Sequence, residues 1–387
     1  MDLAGTPAIP AHAPPPATGR GEVTGVRLLS VAEAANPAFV ESWETLARLA
    51  VEPNPFFEPW FLLPSFAHFA DDEDAAIFAF YDGSRLVGLM PLASERHYYG
   101  YRLPHVAAWL HDNAFCGAPL VARGSERAFW QALLAQLDAS FGNALLLHLP
   151  QLPEAGALTS ALDAVLAKQA RASYTALASE RAMLASTHGP DAYFEQAMSA
   201  KKRKELRRQH KRLGEEGALT FERAEGAEGV ADWVADFLAL EAAGWKGEAG
   251  SALASADATS SFFAQTLTGA AEAGRLERLS LSLDGKPIAM LANFLCAPGA
   301  FSFKTAFDER YARFSPGLLL QIENLQLLAR DGIDWTDSCA VQGHSMIERI
   351  WREKRTITSR NIAIGGPLRR TAFRLLRAYE TRKRSSR

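Results

Sequence analysis

Apolar residues arrive in two matching successions about 200 residues apart. In the first, the β-rich run Ala76-Ile-Phe-Ala-Phe-Tyr81 meets Asp82-Gly83, and a second apolar run follows to Met90. In the second, Arg278-Leu-Ser-Leu-Ser-Leu283 meets Asp284-Gly285 and continues to Ala292. Asp-Gly tolerates the positive φ of a tight turn, so each succession predicts a β-hairpin. Helical periodicity precedes each hairpin. A strand over 106–110, a helix over 126–141 and a strand over 144–149 follow the first; 301–307, 317–331 and 333–337 follow the second. The repetition predicts two divergent copies of one α/β unit. Turn formers at Ser186-Thr-His-Gly-Pro190 mark the connection, with Asp191 placed to cap a long helix that includes 201–213.

A 387-residue chain with 48% hydrophobic and 22% charged residues has core enough for two domains and is neither disordered nor fibrous. Its net charge of -3 hides segregation. Residues 201–213 carry eight Lys/Arg against Glu205, and 367–387 carry eight against Glu380, so each patch is +7 and the remainder is -17. In the first patch Leu206, His210 and Leu213 form a narrow seam that can be buried while the cations fan out. That face suits an anionic ligand, glycan or nucleic acid, or simply solvent beside an acidic body. The second interleaves Leu368, Phe373, Leu375, Leu376 and Tyr379 with arginines, which fits weak peripheral membrane contact, RNA, or a short docked tail. Residues 1–24, rich in Pro, Ala and Gly, read as a flexible tail rather than a signal peptide. No apolar window is long enough to span a membrane. Cys116, Cys296 and Cys339 are odd in number and lack CxxC spacing, so a cytoplasmic protein without disulfide framework or zinc knuckle is expected.

Two stretches carry candidate chemistry. The first follows the strand at 301–307: a cationic loop with Asp308, Arg310, Tyr311 and Arg313 leads to Ser315-Pro316-Gly317. Ser315 fits the N-cap and Pro316 position N1, while Gly317 leaves room for a phosphate near the outward-pointing amides. The same residues also suffice merely to start a helix packed through Leu318, Ile322, Leu325 and Leu328. The second stretch runs from Glu241 through Gly244-Trp245-Lys246-Gly247. It reads as a loop closing on a substrate, with Glu241 as a base, or as a helix end with an anchoring Trp245 and a solvated ion pair. His344 lies near Asp337 and Cys339 without enough further ligands for a metal, so a capping or hydrogen-bonding role is expected. Cys116 beside His111 and Asp112 is a formal nucleophile, although a free Cys is more often a small buried hydrophobe.

Taken together, Ser199-Ala-Lys-Lys-Arg-Lys-Glu-Leu-Arg-Arg208, Glu241-Ala-Ala-Gly-Trp-Lys-Gly247, the second hairpin and Lys304-Thr-Ala-Phe-Asp-Glu-Arg-Tyr-Ala-Arg-Phe-Ser-Pro-Gly317 resemble the CelD/BioF2-like branch of the GNAT acetyltransferase superfamily, related to the FemAB aminoacyltransferases. Asn54-Pro-Phe-Phe-Glu-Pro-Trp60 and the first hairpin extend the resemblance over about 25–365. It implies an α/β (α+β) fold of tandem GNAT-like domains, each a mixed, mostly antiparallel sheet flanked by helices. The expected divisions are a tail over 1–24, a degenerate structural or acceptor-binding domain over 25–187, an acyltransferase domain over 188–366 and a basic tail over 367–387.

The resemblance further implies acyl transfer from acetyl-CoA to an amine or sugar acceptor, with a link to polysaccharide or cellulose biosynthesis. On this reading Phe303, Arg310, Arg313, Phe314, Ser315, Gly317 and Leu318 contact the donor. Glu241 or Asp308 serves as base, Lys304 stabilises the oxyanion, Tyr311 is the acid, and Trp245 and Lys246 meet the acceptor. The chain departs from the usual Arg/Gln-x-x-Gly-x-Gly/Ala loop by having one glycine and a proline. Its counterpart near 113–119 lacks cations. A FemAB-like aminoacyl-tRNA-dependent transferase and a non-catalytic accessory protein of polysaccharide biosynthesis are the alternatives. No long helical hairpin for tRNA is evident, which makes nucleic acid at 201–213 the weaker expectation.

Overall fold

The computed structural model of the chain describes residues 25–70 and 75–385, so the tail expected over 1–24 lies outside the described residues. The described residues fall into two compact units, 25–179 with 356–385, and Glu180–Arg355. The first opens with β1 (Gly25–Leu29), α1 (Val31–Ala34), α2 (Pro37–Leu49) and α3 (Pro59–Phe69). There follow β2 (Ala75–Asp82), β3 (Arg85–Tyr98), β4 (Tyr101–Ala108), β5 (Leu120–Val121), α4 (Glu126–Ser140), β6 (Leu146–Pro153) and α5 (Ala157–Lys168). β7 (Ser173–Leu184) leads into the second unit, which holds α6 (Pro190–Ala197), α7 (Ala200–Glu215), β8 (Leu219–Glu225), α8 (Val230–Ala242), α9 (Trp245–Glu248) and α10 (Asp257–Glu272). It continues with β9 (Leu276–Leu283), β10 (Lys286–Cys296), β11 (Gly299–Phe307), α11 (Pro316–Glu323) and β12 (Trp335–Asp337). β13 (Glu353–Ala363) returns the chain to the first unit, where it ends in α12 (Pro367–Ser385).

Both Asp-Gly sites form hairpin turns. Asp284 and Gly285 adopt φ of 49° and 75°, the left-handed pair that a type I′ turn needs, whereas at the first site only Gly83 is left-handed. The two units repeat one strand order. β1, β2, β3 and β4 are antiparallel neighbours and β6 lies parallel to β4. Likewise β8, β9, β10 and β11 are antiparallel and β12 lies parallel to β11. A sixth strand completes each sheet: β13 pairs antiparallel with β6, and Met183–Leu184 at the end of β7 pair antiparallel with β12. Each unit therefore contains a last strand distant in sequence from its neighbour. This differs from a simple division at 187 and 366, because Ala363 and Phe373 pack on Leu146 and draw 356–385 into the first unit.

The expected long helix after Pro190 is two helices. Met198 is extended (φ -132°, ψ 134°), so α6 ends there and the basic patch occupies α7 alone. The helix expected over 317–331 is α-helical only to Glu323 and continues as 3₁₀ turns over Asn324–Ala329. In α12, Arg369 donates to the carbonyls of Asp138, Gly142 and Ala144, and Arg370 pairs with Asp138 at 2.7 Å. Two cations of the second patch are thereby structural, while Leu368 and Leu375 remain exposed.

The parallel pair of the first unit is short, Val106↔Leu147 and Ala107↔His148. Past it, the Gly117 amide donates to the Gln151 carbonyl at 2.9 Å. Asn54, fully buried, clamps this segment by donating to the carbonyls of Cys116 (3.1 Å) and Ala118 (2.7 Å), while its own oxygen accepts from Phe56 N. The Asn-Pro-Phe-Phe motif thus holds 116–118 against the end of β6. A Cβ on Gly117 would run into the Pro150 carbonyl oxygen, which is backbone and cannot swing aside. Gly117→Ala is expected to cost about 1–3 kcal/mol, the range for overpacking a tight site. Calorimetric melting checks this through a lowered midpoint.

Candidate functional site

In the second unit, the equivalent parallel pair also stops early. β11 meets β12 only through Gly299↔Trp335, Ala300↔Thr336 and Phe301↔Asp337, whereas β11 runs on to Phe307. The two strands part at Asp337, whose side chain is fully buried. Asp337 receives Arg181 Nη1 at 3.4 Å and Arg355 Nη1 at 3.2 Å, and its other oxygen accepts the Cys339 amide at 2.7 Å. Arg355 also lies over the Trp335 ring, 4.9 Å from its centroid. This charged anchor fixes the point where β12 ends and Cys339 turns left-handed (φ 53°).

Beyond Phe307, Asp308 caps the 3₁₀ turn Glu309–Phe314 by accepting the Arg310 amide. Ser315 does not act as the expected side-chain N-cap. Its φ of 56° is left-handed rather than extended, no side-chain cap bond forms, and its carbonyl accepts from Leu318 and Leu319. Pro316 does occupy the first helical position. The missing Cβ of Gly317 is also used differently from the expectation: a Cβ there would lie 2.8 Å from Met346 Sδ and 3.1 Å from the Phe307 ring. The glycine lets Met346 and β11 close on the start of α11.

Both loops singled out from the sequence come together here. The Trp245 amide donates to Glu309 Oε1 at 3.0 Å, linking α9 to the turn after β11. Trp245 itself is 57% exposed. Glu241 has both oxygens engaged, accepting Lys246 Nζ at 2.6 Å and the Leu253 amide at 2.8 Å. It is buried, and its ion pair closes the loop between α8 and α10. Gly247 is required in that loop, because a Cβ would strike the Ala242 carbonyl.

Asp308 is gripped by the Arg310 guanidinium through both oxygens, which holds its carboxyl below the ordinary carboxylate range although partial burial opposes this. Arg313 pairs with Glu216 at 2.8 Å and covers the Phe314 ring at 4.6 Å. Phe303 is buried and stacks on Phe294 at 4.5 Å, so it shapes the sheet interior. Lys304 Nζ lies 5.6 Å from the Phe303 ring centroid. Tyr311 packs against the cluster of Leu213, Phe314 and Leu319, and Leu318 belongs to that of Leu206 and Leu325.

His344 takes the hydrogen-bonding role expected of it, in an environment that the sequence does not show. It is half-buried in the segment after β12, two residues before Met346. Burial pushes its imidazole below the ordinary value of 6.5, Lys246 pushes the same way, and a backbone hydrogen bond and Glu348 oppose. A neutral imidazole thus lies within electrostatic reach of the α9 loop. Its Nδ1 accepts a long hydrogen bond, 3.5 Å, from the Ile347 amide. Proximity to Lys246 is a tertiary fact without local signal. Among the described residues, no cluster of three His, Cys, Asp or Glu could hold a metal ion, and no helix is long and apolar enough to cross a membrane.

Residues 200–345 match the family model described as an acetyltransferase (GNAT) domain. Among solved structures, FemX is similar with a TM-score of 0.55 at 10% identity, covering 84% of this chain and 96% of that one. The C-terminal domain (DUF2156) of a putative lysylphosphatidylglycerol synthetase from Agrobacterium fabrum gives 0.49 at 16% identity over 89% and 96%. A tandem GNAT protein from the clavulanic acid biosynthesis pathway gives 0.41 at 17% identity over 89% and 99%. No curated protein matches the sequence.

Proposed function

We propose that the second unit, whose residues 200–345 match the GNAT acetyltransferase domain, transfers an acyl group from acyl-CoA, with acetyl-CoA the foremost donor, to an amine or sugar acceptor. The observation that carries this reading is the early parting of β11 from β12. An exposed strand edge offers main-chain groups to an extended ligand with amides of its own, as the pantetheine arm of CoA has. The slot leads toward the start of α11, where helix amides and the guanidinium groups of Arg310 and Arg313 favour a pyrophosphate. In the first unit the corresponding strand end is met by the chain's own 116–118, which supports a structural role for that unit.

In this mechanism His344 accepts the proton of the acceptor amine as its nitrogen attacks the thioester carbon. Glu241 and Asp308 are proposed to hold the two loops, since one has both oxygens bonded and the other is held ionised and weakly basic by Arg310. Lys304, on the strand that edges the slot, is proposed to stabilise the developing oxyanion, and Tyr311 to protonate the departing thiolate. Trp245 and Lys246 are placed to meet the acceptor. The cationic face of α7 supports a second reading, aminoacyl transfer from tRNA. Release of free CoA thiol separates the two: acceptor-dependent release from acetyl-CoA with an amine or amino sugar is expected, whereas turnover confined to aminoacyl-tRNA would select the second reading.

A further inference from the structure

The second unit has two hydrophobic clusters on the side of α7 and α11. One holds Leu206, Leu318 and Leu325, and the other Leu213, Leu281 and Leu319; Ile322 touches both. Between them lies a cavity of about 440 Å³. Its walls are apolar, from Leu206 on α7, Phe221 on β8, Leu281 on β9, and Leu319 and Ile322 on α11. None of the residues proposed to bind acyl-CoA or the acceptor lines it. The cavity opens to solvent rather than being enclosed, and its volume falls within the roughly 300 to 1,000 Å³ of ligand pockets.

The polar residues of the lining are unevenly charged. Arg203, Arg207 and His210 come from one face of α7, and Glu323 is the sole acid. Arg203 is committed to the carbonyls of Glu195 and Met198. Arg207 and His210 are exposed, and no hydrogen bond or ion pair engages either of them among the described residues. Lys204 and Lys211 of the same helix add to the positive field. An apolar pocket with one uncommitted guanidinium at its lining is complementary to an apolar chain that ends in a single carboxylate. Arg pairs with that group through two parallel N–H···O bonds.

We propose that the cavity between α7 and α11 binds a fatty carboxylate, its chain between the two leucine clusters and its carboxylate on Arg207. This second site is independent of the acyl-transfer reading, because it rests on residues that reading does not use.

Calorimetric titration of the full chain with dodecanoate, kept below its micelle concentration, tests the proposal. One saturable site is expected. Dodecanol and dodecyltrimethylammonium are expected to bind at least about tenfold more weakly, since each lacks the charge-assisted pair. Arg207→Glu, a substitution at an exposed position, should weaken dodecanoate about tenfold or more and leave acetyl-CoA binding unchanged. Ile322→Trp, which fills the cavity, should abolish dodecanoate binding, with near-ultraviolet circular dichroism reporting on the fold. Absence of saturable dodecanoate binding, equal binding of the alcohol or the ammonium compound, or indifference to Arg207→Glu would overturn the proposal. Tighter binding of dodecyl phosphate than of dodecanoate would overturn the choice of carboxylate.

Discussion

His344→Gln is expected to lower kcat/KM for acyl transfer about 10²–10⁴-fold while the protein stays folded, the loss typical of a missing general acid–base group. The reason is the environment of the ring. Burial and Lys246 lower its proton affinity, so the imidazole is neutral at pH 7 and available to take a proton. A base is inactive once protonated. In the unaltered protein, kcat/KM should therefore fall only as the pH drops below the ordinary imidazole value of 6.5. Lys246→Met removes a positive neighbour, which raises proton affinity at His344. The acid limb should accordingly move to higher pH in Lys246→Met and vanish in His344→Gln. Steady-state rates across pH 5 to 8 read both effects. A full rate with an unchanged acid limb in His344→Gln would return the base role to Glu241 or Asp308.

Asp337→Ala should be the most damaging single change to stability in the second unit. The carboxylate is fully buried between Arg181 and Arg355, and the Arg181 side chain is 7% exposed. Removing it takes one buried carboxylate acceptor away from two guanidinium groups and the Cys339 amide, at a cost of about 3–5 kcal/mol. Asp337→Asn can keep the bond from Cys339 N but loses the charge, so an intermediate cost is expected. Adding Arg181→Met to Asp337→Ala should recover part of the loss, because one of the two guanidinium groups that faced the lost carboxylate is removed with it. Denaturant titration of the three variants measures this order. A cost below about 1 kcal/mol for Asp337→Ala would show that water reaches these arginines, and the anchor would no longer explain where β12 stops.

The hairpins were legible because their information is local. Asp284-Gly285 encodes its own turn, and alternating apolar residues on either side encode the strands. Copying of that pattern made the repeat legible too, and the two strand orders match through five strands. The sixth strand was not legible. β7 and β13 look like any connecting strands, and which sheet each completes depends on pairings such as Asp337↔Met183 and Asn361↔His148, far apart in sequence. At the candidate site, sequence spacing identified both loops but not their roles. Glu241 resembles a base in sequence because the Leu253 amide, twelve residues on, is invisible there. Ser315-Pro-Gly resembles a capped helix start, yet the preceding 3₁₀ turn forces Ser315 left-handed. His344 has no local signature, since its perturbation arises from burial and from Lys246 almost a hundred residues earlier. The basic patches were legible as charge. Their division into structural arginines, such as Arg369, and uncommitted ones, such as Arg207, required the carbonyls and acids that face them.

The central claim is that the slot beside β11 in the second unit, and not its counterpart in the first, accepts an acyl-CoA. Calorimetric titration of the whole chain with acetyl-CoA tests this most directly. One saturable site per chain is predicted, with affinity reduced by Arg313→Glu and unaffected by Arg207→Glu. Two equivalent sites, or no saturable binding at all, would contradict it.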